Sequence, residues 1–190
     1  MRLQESVMRL LLTQPFYGSL ASSVSLCESA RADKMKMTLL PSPVLTYNRE
    51  WFESLSDAQT VGALLHELLH LLLLHALRRG GRDALLWAVC CDMAVNDQLA
   101  PEMLTKDAVT TEKIEKESRL KLERGRSAEY YYGRLSDSGG EFSLLLREDS
   151  VTLYCSDGSA LEAKLCHEEN VSQMDERALK RTLDELIEQA

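Results

Sequence analysis

The chain has no Cys-x-x-Cys pair, no internal repeat, no low-complexity tract and fewer basic than acidic residues. Its five cysteines, Cys27, Cys90, Cys91, Cys155 and Cys166, are odd in number, and two are adjacent. That pattern excludes a disulfide framework and a cysteine-built zinc site, and it fits reduced, buried thiols in a cytoplasmic protein. Lysine and arginine number 22 against 30 acidic residues, a net charge of −8. With no basic face expected, a general nucleic-acid binder or a membrane-surface protein is disfavoured. Leu10 to Leu12 follow Arg9, but Glu5 sits in the would-be basic region and Gln14-Pro15 breaks the run, so an amphipathic helix is expected rather than a signal peptide. The apolar stretch Val61–Leu77 contains three histidines and a glutamate, and it is too short and too polar to span a bilayer.

What is present is enough apolar material for a core: 190 residues, 45% of them hydrophobic. The expectation is one α+β domain over 1–190, with a mainly helical core to about 135 and a C-terminal hairpin plus helix over about 136–190. Apolar spacing predicts helices over 2–13 and Leu20–Cys27. Two short strands are expected at Met35–Leu40 and Val44–Tyr47, with Pro41-Ser42-Pro43 between them arguing for a turn or an edge position. Ser56 and Gln59 form a capping box ahead of a helix expected to run to Arg79 and stop at Gly80-Gly81. Further helices are expected from Asp83 to Leu99, from Ser127 to Leu135 and over 173–188. The charged stretch 102–126 reads as a solvated helix or a mobile connector. Val151–Cys155 and Ala160–Leu165 flank Asp157-Gly158, a hairpin signature.

The chemistry concentrates in His66-Glu67-Leu68-Leu69-His70. Residues four apart on a helix differ by roughly 40° in direction, so His66 and His70 project from one face and can reach one zinc ion. Glu67 lies about 100° round from His66, suited to act as general base on a metal-activated water. The flanks are almost all leucine, so these polar groups are costly to bury unless paired, hydrogen-bonded or metal-bound. The bland alternative is a core helix whose histidines are satisfied by neighbours.

A catalytic zinc needs a third protein ligand. His75 would point to the far side of a straight helix from His66, and no glycine follows His70 to turn the chain back, so His75 is held in reserve. Asp92, a lone carboxylate in the apolar segment Leu86–Asn96, is preferred. A helical hairpin turning at Gly80-Gly81 would return it to the histidines. Its alternative is pairing with Arg78, Arg79 or Arg82. Asn96, one turn later, is expected to orient a ligand histidine. Cys90 and Cys91 have no basic neighbour in sequence and read as inert thiols.

The block from His66 to His75, the arginine-rich turn, Leu86-Trp87, Asp92 and Asn96 resembles the bacterial putative metallopeptidase domain often found before a von Willebrand factor A-like domain. Pro15-Phe16, Tyr47-Asn48, Phe52, Ala128-Glu129 and Tyr132 extend the resemblance over most of residues 10–135. It implies a zincin-like fold, a zinc ion, a peptidase acting on a peptide or protein substrate, and occasional partnership with an AAA-type ATPase or a von Willebrand factor A-like protein. In such folds substrate often lies along an edge strand, a role that would fall to Val44–Tyr47. Tyr130, Tyr131 or Tyr132, with Tyr132 foremost, would stabilise an oxyanion, although aromatics at helical spacing usually pack. His167 would donate a proton or simply lie in a loop, the reading preferred. The rival function is a non-catalytic, metal-stabilised module for a protein partner.

Overall fold

Near the N-terminus a proline decides where one helix stops and the next begins. The computed structural model describes residues 2–38, 42–118, 120–137, 142–147, 150–155, 160–164 and 176–189. Helix α1 (Arg2–Thr13) ends at Gln14, and α2 (Pro15–Ser22) starts with Pro15 in its first turn, where a fixed φ suits helix initiation and no N–H is missed. The two helices pack so closely that a Cβ on Gly18 would stand 2.3 Å from the Leu11 nitrogen. The expected helix over Leu20–Cys27 is therefore displaced: the helix lies earlier, and Ser25–Glu28 forms strand β1 instead.

The chain divides into two compact units. The first contains Met1–Arg78, Pro101–Leu104 and Glu169–Ala190; the second contains Arg79–Ala100 and Thr105–Glu168.

In the first unit, β1 pairs parallel with β3 (Val44–Tyr47), which pairs antiparallel with β2 (Met35–Thr38), giving the order β1-β3-β2. Val44–Tyr47 is thus the central strand, not the edge expected from its prolines. Pro43 precedes the strand, so no ladder N–H is lost, and its carbonyl accepts from Ser25 N–H at 3.1 Å. Along β2, Met35 and Met37 are buried while Lys36 and Thr38 are exposed, the alternation of a strand with one covered face. Helix α3 (Arg49–Ser54) begins at Asn48, whose side chain accepts from Trp51 N–H at 2.9 Å.

Helix α4 (Asp57–Leu72) opens with the predicted capping box: Gln59 N–H donates to Ser56 Oγ at 3.2 Å, and Ser56 N–H to Gln59 Oε1 at 3.0 Å. Across it lies a 3-10 turn, Pro101–Met103, so close that a Cβ on Gly62 would stand 2.2 Å from the Met103 carbonyl oxygen. The predicted continuation to Arg79 fails. Leu73 is the C-cap, Leu74 takes a left-handed φ of 54°, and a separate turn, α5 (His75–Arg78), follows. Helix α9 (Glu176–Gln189) packs against α2 and buries Leu183 and Leu186.

The second unit is organised by α6 (Ala84–Asn96), which is apolar on nearly every side and is capped by Asp83 accepting from Leu86 N–H at 2.8 Å. Trp87, Cys90, Met93, Val109, Ile114, Leu122, Tyr131 and Leu135 form its core with α7 (Thr111–Ser118) and α8 (Ala128–Ser136). The charged stretch 102–126 is therefore neither fully solvated nor an untethered connector. Ile114 and Leu122 anchor it, and the buried Asp97 carboxylate gathers it, accepting from Thr111 Oγ1 (2.7 Å), Gly125 N–H (2.9 Å) and the Tyr131 hydroxyl (2.6 Å). Strands β5 (Ser150–Cys155) and β6 (Ala160–Lys164) pair antiparallel as expected, while the intervening Asp157-Gly158 lies outside the described residues. A further strand, β4 (Phe142–Arg147), pairs antiparallel with β5; its run of three leucines hides the alternation that marks a strand.

Helices with small sheets place the chain in the α+β class. Among the described residues no helix is long and apolar enough to cross a membrane.

Candidate metal centre

Helical spacing delivers the first two groups. His66 and His70 lie one turn apart on the buried face of α4, and their Nε2 atoms stand 3.0 Å from each other. Both rings are buried, with centroids 4.6 Å apart. Two nitrogens bound tetrahedrally at about 2.0–2.1 Å from one zinc stand roughly 3.3 Å apart, so the observed approach needs only a small relaxation to admit an ion. Asp92, buried on α6, completes a group: one ligand atom each from His66, His70 and Asp92 lies within 4.8 Å of the others. Two imidazole nitrogens and a carboxylate oxygen, all buried, are a donor set suited to a divalent metal ion.

Glu67 is among the most deeply buried charged residues, 1% exposed. Its Oε2 accepts a hydrogen bond from the backbone N–H of Met37 at 2.9 Å. That amide lies on the side of β2 turned away from β3, so strand and helix are joined at the carboxylate. Sequence reasoning had no means of finding this partner, because a backbone donor carries no residue signature.

The break after α4 changes the position of His75. On a straight helix it would face away from His66; with Leu74 left-handed, the His75 ring swings back and is buried. Its Nδ1 lies 3.1 Å from Nδ1 of His70, the rings meeting edge to face at 76°. His70 therefore has both nitrogens engaged, Nε2 towards His66 and Nδ1 towards His75. The absence of a glycine after His70 did not prevent the turn, because a leucine takes the strained conformation.

Asn96 is buried, and its Nδ2 donates to the Val109 carbonyl at 2.7 Å. The Tyr132 hydroxyl accepts from Asp83 N–H at 2.9 Å, and its ring shares the Arg82 guanidinium with Trp87. Tyr130 accepts from Glu123 N–H, and Tyr131 donates to Asp97. Arg78 donates to the Leu73 carbonyl at 2.7 Å, stitching the helix break. His167 lies outside the described residues. Burial pushes the Cys90 thiol well above its ordinary range, as expected of an inert core cysteine.

The sequence matches the family described as "Putative metallopeptidase domain" over residues 1–182. No curated protein and no solved structure matches it.

Proposed function

The chain belongs to the putative metallopeptidase domain family, and from that premise we propose that it is a zinc-dependent hydrolase of peptide bonds. The observation that carries this reading is the convergence of His66 Nε2 and His70 Nε2 at 3.0 Å, with an Asp92 oxygen in the same group. These three residues would hold the metal. When bound, the ion would supply Lewis acidity, polarising a scissile carbonyl and easing ionisation of water near neutral pH.

The protein's own part falls to Glu67. Its Oε2 is oriented by Met37 N–H, so proton uptake from water and delivery to the leaving amine would run through Oε1. Surrounding leucines, Leu64, Leu65, Leu68 and Leu69, are buried; a dry setting of this kind strengthens each charge interaction at the site.

The Met37–Glu67 hydrogen bond also favours a second reading. A carboxylate that ties α4 to β2 could serve structure alone, leaving a metal-stabilised module that docks a protein such as an AAA-type ATPase. Glu67→Gln separates the two, since glutamine keeps an acceptor for Met37 but is no base. Under the enzyme reading, metal-dependent cleavage of a peptide library falls by about 10²–10⁴-fold, while stoichiometric metal is retained by elemental analysis. Cleavage at the wild-type rate would refute Glu67 as base. If neither protein cleaved any peptide while both held metal, the docking module would replace the enzyme.

A further inference from the structure

We infer that His75 is a positioning residue that fixes the tautomer of His70, and that the left-handed Leu74 exists to place it there; this rests on the metal reading of His66, His70 and Asp92. The observation is the 3.1 Å approach of the two Nδ1 atoms. A neutral imidazole carries one proton on one nitrogen and a lone pair on the other. Across an Nδ1···Nδ1 contact one ring must donate and the other accept. If His75 donated, the proton of His70 would sit on Nε2, the nitrogen facing His66, and that nitrogen could bind no metal. If His70 donates from Nδ1–H, its Nε2 presents a lone pair towards His66, and His75 keeps its proton on Nε2. Metal binding requires the second arrangement, so His75 acts as the acceptor that holds His70 ready.

The chain spends conformational strain to achieve this. Continuing α4 would carry His75 round to the opposite side, about 180° from His66. Instead the helix stops at Leu72, Leu74 adopts φ 54°, and His75 is buried against the back of His70. A side chain outside the ligand group is thus brought to the nitrogen opposite the one that faces His66. Partners of this kind, which orient a ligand imidazole from behind, typically change metal affinity by 10–100-fold when removed.

The test compares wild type, His75→Phe and His75→Asn. Phenylalanine keeps a ring in the buried site and removes the acceptor; asparagine places its Oδ1 near the position of the lost Nδ1. Zinc affinity is read by competition with a chromophoric chelator, and the thermal stability of each metal-free protein is recorded alongside. His75→Phe should bind zinc about 10–100-fold more weakly, and His75→Asn should recover most of that loss even where the two metal-free proteins melt alike. Nitrogen-15 NMR of zinc-loaded wild type, which needs no variant, should show His70 protonated on Nδ1. Unchanged zinc affinity in His75→Phe, or a His70 proton found on Nε2, would overturn this inference while leaving the metal reading intact. A wild-type protein that took up no zinc would overturn both.

Discussion

Cysteine reactivity separates two environments that the sequence writes with the same letter. Cys27 is exposed on β1, whereas Cys90 is buried in the core of the second unit with its thiol pushed upward by desolvation. The thiolate is the reactive species, so iodoacetamide should label Cys27 readily in the folded protein and reach Cys90 only after denaturation. Peptide mapping by mass spectrometry decides it, and equal labelling of the two in the native state would contradict the burial described. Individual residues were legible in the sequence to the extent that their chemistry is carried by type and spacing. A helical i, i+4 pair and a lone acid in an apolar helix pointed to His66, His70 and Asp92, and the structure brings the three together. The position of His75 is not legible from spacing, because its direction depends on one backbone angle at Leu74. Met37 left no trace, since its contribution is a main-chain amide.

Among the elements, α4 shows where local rules stop. Its start was readable, because Ser56 and Gln59 satisfy backbone donors that any helix leaves open. Its end was not, because glycine is the usual left-handed terminator and here a leucine replaces it. A left-handed L-residue costs roughly 1–2 kcal/mol, and branching at Cβ makes it worse. Wild type already bears that cost at Leu74, so Leu74→Val should lower unfolding stability only by the added Cβ branching and part of a lost methylene, about 1 kcal/mol, whereas Leu74→Gly should hold at or near wild type, relief of strain offsetting the lost side chain and the looser unfolded chain. Urea melts of the two variants read the difference; a valine variant as stable as the glycine variant would show that Leu74 is not strained. The strands were harder to read than the helices. The neighbouring prolines suggest an edge for Val44–Tyr47, and only pairing with β1, a segment whose spacing reads as helix, makes it central.

At the scale of the molecule, a ligand that binds only the folded state adds stability by mass action. Zinc at a hundred times its dissociation constant would add about 2.7 kcal/mol, which for a chain of this size corresponds to roughly 5–11 °C in melting temperature. Calorimetry with zinc and then with excess EDTA should show the rise and its reversal; a melting temperature indifferent to both would count against a built metal site. The α+β composition was legible from periodicity, but the division of the chain was not. Periodicity reports which face of a segment is apolar and is silent on which distant segment covers it.

That division has a consequence for how the protein is made. The polypeptide leaves the first unit after Arg78, returns briefly for Pro101–Leu104, and comes back at Glu169. During translation the α2 surface that receives α9 must wait, uncovered, until the residues of Glu176–Gln189 emerge from the ribosome. The nascent chain thus carries an incomplete first unit until those residues are made, a natural target for holding chaperones, and no single cut releases either unit as one continuous piece.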